Sequence, residues 1–161
     1  MMRIATIGVY GFDEASLVDV LRKADIDLFV DTRRRRAVRG STYAFANSLR
    51  LQAHLADLGI PYVHRKDLAP SNETRQAQDR ADCATKTKRS DRDKLTETFK
   101  RSYAQECLEK LDSQQFVSAL GLEVQSILIF CVERSPTACH RSLLASKLAA
   151  DLNAVVEHIV P

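Results

Sequence analysis

Two short runs toward the C-terminal end hold the side chains best suited to chemistry: Cys131-Val132-Glu133 and Cys139-His140-Arg141. An ionised thiol is a nucleophile, a carboxylate or imidazole moves protons, and a guanidinium holds an anion. Two further segments carry charged or polar groups, Asp31-Thr32-Arg33 and Tyr62-Val63-His64. A basic run, Arg33-Arg34-Arg35-Arg36-Ala37-Val38-Arg39-Gly40, follows the first of these, with Tyr43 and Phe45 beyond it. The candidate catalytic residues are therefore Cys131, Glu133, Cys139 and His140. The candidate substrate-holding residues are Asp31, Arg33, Arg39, Tyr62, His64 and Arg141.

The elements that must position these groups follow from the hydrophobic pattern. Ser126–Cys131 (SILIFC) is continuously apolar, as a central parallel strand should be. Alternation puts Cys131 and Glu133 on one side of that strand, with Val132 opposite. Ser135-Pro136 suits the start of the next helix, predicted to run to about Leu152. On it Arg141, Ala145, Leu148 and Leu152 share one face, so Arg141 turns inward. A buried guanidinium needs a partner, and the Glu133 or Asp31 carboxylate is the natural one. The helix N-terminus would also lower the pKa of Cys139.

Elsewhere strands are expected at Arg3–Val9, Leu28–Val30, Pro61–His64 and Val155–Ile159. Helices are expected at Glu14–Ala24, Asn47–Leu58, about Gln114–Leu120, and up to about Leu111. Residues 65–101 hold 11 lysines and arginines against 7 acids and few large apolar residues, which reads as an exposed, partly mobile, basic helical insertion. The expected fold is a single α/β domain spanning 1–161, with a mostly parallel sheet of about five strands flanked by helices. Ligands of such sheets bind beyond the carboxyl ends of the strands, where the candidate residues lie.

Composition narrows the classes. Hydrophobic residues make up 45% and charged residues 28%, and the net charge is +3, a balance that permits an anionic partner without demanding one. No apolar run reaches the ~20 residues needed to cross a bilayer, and Met1-Met2-Arg3-Ile4 opens no export signal, so a cytoplasmic protein with no membrane partner is expected. Four cysteines there are free thiols rather than disulfides. There is no C-x-x-C, no G-x-G-x-x-G and no Walker glycine pattern, and where a cysteine-phosphatase loop has arginine after a five-residue spacer, the residue at that position from Cys131 is Thr137. A metal held by Cys131, Cys139 and His140 is disfavoured, because neighbours on a helix point in diverging directions. No metal and no cofactor are expected.

The assembled motifs resemble the family known as domain of unknown function 488. Thr6-Ile7-Gly8 matches its first strand, Asp31-Thr32-Arg33 its D-V-R strand end, and Gly59-Ile60-Pro61-Tyr62-Val63-His64 its G-I-x-Y-x-H segment. Cys131-x-Glu133 and Cys139-His140-Arg141 match its C-x-E and C-H-R, with His158-Ile159 near the end. The resemblance covers essentially the whole chain and implies an α/β fold with a shared strand-end site, but supplies no activity. Thr32 stands in place of the usual valine, and Leu68-Ala69-Pro70-Ser71 in place of a Leu-Gly-Gly-like turn. The D-V-R end is also reminiscent of rhodaneses, whose compact cysteine loop is missing.

Three functions fit these residues. The first is an enzyme acting on a phosphate-bearing substrate, a nucleotide or a nucleic acid, with Arg33 and Arg141 on the anion, Glu133 as acid/base, and Cys131 or Cys139 as nucleophile or polar wall. The second is a non-catalytic nucleic-acid-binding module that uses the Arg33–Arg39 loop, with the basic insertion extending its surface. The third is a structural subunit whose polar cluster staples helix to sheet. The sequence leaves the oligomeric state open.

Overall fold

The computed structural model describes the whole chain, Met1–Pro161. Five strands form one sheet: β1 (Arg3–Gly8), β2 (Leu28–Asp31), β3 (Tyr62–His64), β4 (Ser126–Cys131) and β5 (Val155–Ile159). Their order is β3-β2-β4-β1-β5, and every pairing is parallel. Six helices accompany them: α1 (Glu14–Lys23), α2 (Ser48–Asp57), α3 (Asn72–Ala84), α4 (Glu97–Tyr103), α5 (Ser113–Leu120) and α6 (His140–Leu152). The expected α/β class and strand number hold.

Strand β4 shows why the sheet is covered on both faces. Leu128 and Phe130 join Phe29 and Ile7 against Leu17 and Leu21 of α1 and Leu51 and Leu55 of α2. Ile127 and Ile129 join Ile4 and Val30 against Phe116 of α5 and Leu144 and Leu148 of α6. A strand with helices on either side must be apolar at every position. Each such side chain stabilises the fold by about 1.5–3 kcal/mol relative to exposure.

Register aligns the carboxyl ends of the three central strands. Gly8 pairs with Cys131, and Asp31 with Phe130. The loops leaving β1, β2 and β4 therefore start level with one another.

Two expectations are corrected. The helix after β4 begins at His140 rather than Ser135. Pro136–Ala138 form one 3-10 turn, and Cys139 is an extended N-cap with φ −140° and ψ 143°. The 65–101 segment is not an exposed appendage. It builds α3 and the start of α4, whose Phe99 and Tyr103 pack with Leu95, Cys107 and Leu143 in a third apolar cluster. The Tyr103 hydroxyl donates to Leu68 O at 2.7 Å, and its ring meets His140 edge-on at 5.3 Å. The segment closes over the strand ends.

Candidate functional site

The floor of the site is built from the end of β4 and the start of α6. Because Cys139 is extended rather than helical, its side chain and that of His140 converge on Cys131 instead of diverging. His140 Nδ1 lies 3.7 Å from Cys131 Sγ and 3.8 Å from Cys139 Sγ. The three donor atoms all lie within 4.8 Å of one another, in three buried residues. The geometric objection to a metal there is thus removed.

The tautomer of His140 follows from its other nitrogen. Thr32 Oγ1 donates its proton to Phe130 O at 3.0 Å. His140 Nε2 is 3.1 Å from that same Oγ1 and 3.2 Å from Thr32 O, both acceptors, so Nε2 carries the hydrogen. In the neutral ring Nδ1 then presents a lone pair to the two sulfurs.

The two thiols differ. Burial opposes ionisation of Cys139, but the hydrogen bond from Cys131, the His140 ring in its protonated form and the Arg141 cation carry its pKa well below the usual thiol value. The hydrogen bond with Cys139, then burial, raises the Cys131 pKa well above that value. Their proximity couples them, so one negative charge shared by the pair is favoured over two.

Glu133 stands beside this floor, its Oε2 3.6 Å from Cys131 Sγ, on the side that strand alternation gives. Its partner is not Arg141. Arg89 Nε donates to Glu133 Oε1 at 2.8 Å, with Nη2 in an ion pair to the same oxygen at 2.8 Å, and Arg92 Nη1 approaches at 3.7 Å. Arg92 itself is held by Asp82 at 2.8 Å, and Asp82 accepts from Gln78. Burial opposes the charge on Arg89, but Glu133 outweighs it and the pKa is raised.

Arg141 is wholly buried and serves the backbone instead. Nη1 donates to Glu133 O at 2.5 Å and Nη2 to Arg134 O at 3.1 Å, while Nε has no partner. A Cβ on Gly8 would sit 1.8 Å from Glu133 O and 2.8 Å from Arg141 Nη1, which explains glycine at this strand end.

Asp31 and Arg33 form a buried bidentate pair, with Nε at 2.9 Å and Nη2 at 2.8 Å, beneath the arginine loop. Tyr62 donates to Asp31 at 2.7 Å, and His64 Nε2 donates to Arg33 O at 2.7 Å. Arg33 also caps Ala46 O and lies over the Phe130 ring. These residues tie β2, β3 and the loop together.

Above the floor opens a cleft of about 950 Å³. Cys131, Glu133, Cys139, His140, Arg33 and Arg39 line it; Asp31, Tyr62, His64 and Arg141 do not. Phe45 is buried in the core, leaving Tyr43, with Tyr10 at 5.0 Å between ring centroids, as a half-buried aromatic pair lining the cleft. The loop after β2 contributes Arg34 and Arg35 as well, and the 65–101 segment contributes Arg75, Arg89 and Arg92. Sequence reasoning singled out none of those last three, although the basic stretch at 86–101 that holds Arg89 and Arg92 was expected to extend the loop's surface. A signal was present: Thr74, Gln78 and Asp82, spaced by four on α3, form a buried polar stripe, which marks a helix facing a polar site rather than solvent.

No helix is long and apolar enough to cross a membrane. Residues 14–148 match the family described as Domain of unknown function DUF488. No curated protein and no solved structure gives a significant match to the chain.

Proposed function

This chain belongs to the DUF488 family, a domain of unknown function, and we propose that it is an enzyme acting on a phosphate-bearing substrate, a nucleotide or a nucleic-acid end. The arginines of the cleft hold the phosphate, Glu133 serves as acid/base, and the Cys131–Cys139–His140 cluster forms the reactive floor. The cleft tyrosines Tyr10 and Tyr43 offer a stacking surface for a base.

One observation carries this reading: Arg75 is a charge without a partner. Burial and the nearby Arg89 cation lower its pKa. The two acids that line the cleft are already engaged, Asp79 by Arg92 and Glu133 by Arg89 and Arg92. Of the seven arginines that line the cleft, Arg33, Arg89 and Arg92 are paired with Asp31, Asp79, Asp82 and Glu133, which leaves Arg34, Arg35, Arg39 and Arg75 without an ion pair around a volume that fits a nucleotide. A phosphate supplies the missing anion, because its oxygens accept charge-assisted bonds from several guanidinium groups.

Titration calorimetry with pyrophosphate, a nucleoside triphosphate and a single-stranded oligonucleotide tests the reading. The expected result is binding that weakens about tenfold in Arg75→Ala, the loss of one charge-assisted contact. Incubation with the same compounds should yield product that Glu133→Gln no longer forms while still binding. Absence of binding by all three probes overturns the reading. Salt-sensitive oligonucleotide binding without turnover, indifferent to Glu133→Gln, turns it into the binding module.

A further inference from the structure

We infer that Cys131, Cys139 and His140 are the protein ligands of a zinc ion that faces the arginine cleft. The inference stands on the cluster itself and holds whether or not the cleft takes a phosphate.

Three features of the cluster point the same way. The first is donor chemistry. Two thiol sulfurs and an imidazole nitrogen form a set that selects zinc over the hard oxygen-seeking cations. The second is spacing. Tetrahedral zinc, with bonds near 2.3 Å to sulfur and near 2.0 Å to nitrogen, separates S and N ligands by roughly 3.5 Å. His140 Nδ1 lies 3.7 Å and 3.8 Å from the two sulfurs, so the imidazole stands at ligand separation from both thiols, and all three donor atoms lie within 4.8 Å of one another.

The third is the support behind the imidazole. A metal-binding histidine commonly gives its remote N–H to a carbonyl or similar acceptor, which fixes the ring and leaves the other nitrogen free to bind. Thr32 does this for His140 through its carbonyl and its hydroxyl oxygen, and Tyr103 packs the ring from the side. Thr32 is itself anchored to Phe130 O, so the ring is held by β2 and β4 together. The extended N-cap at Cys139 has the same consequence, since it leaves that thiol outside the helix, on the side of Cys131.

The cluster supplies three ligands, the number that a catalytic zinc keeps while leaving a position for water or substrate. All three residues line the cleft, which places that position on the solvent side. Glu133 is not counted among them, because Arg89 and Arg92 already hold its Oε1. It stands beside the open position as a proton acceptor.

The full chain, purified without a metal-affinity tag or chelator, should carry about one zinc per molecule by mass spectrometry of the elements. X-ray absorption at the zinc edge of this unmodified protein should show two sulfur neighbours and at least one nitrogen. Cobalt exchanged into the site should give the intense bands of tetrahedral thiolate coordination. Cys131→Ser and Cys139→Ser should each lose most of the metal, while Cys83→Ser, at an exposed position on α3, keeps it. The absorption experiment needs no variant, so a substitution that fails to fold leaves the test intact. Zinc far below stoichiometry that cannot be restored by added zinc overturns the inference, as does a shell without sulfur. A Cys131–Cys139 disulfide in the freshly purified protein also overturns it and makes the cluster a thiol pair. Phosphate titration of the same samples separates this outcome from failure of the arginine-cleft reading.

Discussion

At the scale of single residues, Gly8 and Arg141 hold the turn that carries Glu133. Glu133 O is clamped between the Gly8 backbone and Arg141 Nη1, so it has no room to retreat from a side chain at position 8. Gly8→Ala is therefore expected to cost about 3 kcal/mol through overpacking, seen as a lower denaturation midpoint at unchanged m-value. A midpoint that does not move would mean that the loop after β4 yields easily. The inward turn of Arg141 was legible in the sequence from helical phase alone. Its partner was not. Burial demands that a guanidinium be satisfied, but a backbone carbonyl meets the demand as well as a carboxylate, and only the path of the chain decides which is near.

At the scale of elements, α3 is the part least legible beforehand. A helix rich in charge reads as solvated when its burial is judged by apolar content. This one buries polar groups against a polar site. Its N-terminus is fastened by Glu106, which comes from the wide π-turn Ala104–Leu108 that follows α4. The carboxylate accepts from Ser71 N at 3.1 Å, Ser71 Oγ at 2.6 Å and Thr74 Oγ1 at 2.5 Å. Partial burial opposes ionisation of Glu106, yet these hydrogen bonds leave its pKa below the usual 4.5. A carboxyl whose pKa is lowered by folding contributes stability above its unfolded pKa, and that contribution is lost as pH falls through the folded value. Glu106→Gln should thus cost about 1–2 kcal/mol at pH 7. The gap to wild type should close below about pH 4. Denaturant titrations at several pH values check this, and a gap that widens in acid would contradict it.

At the scale of the whole molecule, a net charge of +3 hides a strongly uneven distribution. The loop after β2 and the 65–101 segment both line the cleft, touch through Arg34 Nε and Pro70 O, and bring their arginines together over the strand ends. Binding of a single-stranded oligonucleotide should therefore weaken steadily with salt, and removing Arg75 should flatten the slope of log K against log salt by about 0.7. An unchanged slope in Arg75→Ala would place the strand elsewhere. The sequence alone determined the α/β class, the strands, the pairing of Cys131 with Glu133 on one side, and the edge at which reactive groups gather. Those follow from local periodicities of two and of 3.6, which any strand or helix obeys wherever it packs. Only the tertiary structure decided that Cys139 caps its helix in an extended form, that Arg89 rather than Arg141 meets Glu133, and that α3 closes the cleft. The last two are contacts between segments far apart in the chain, selected by packing and by the need to satisfy buried charge, and no local pattern encodes the choice.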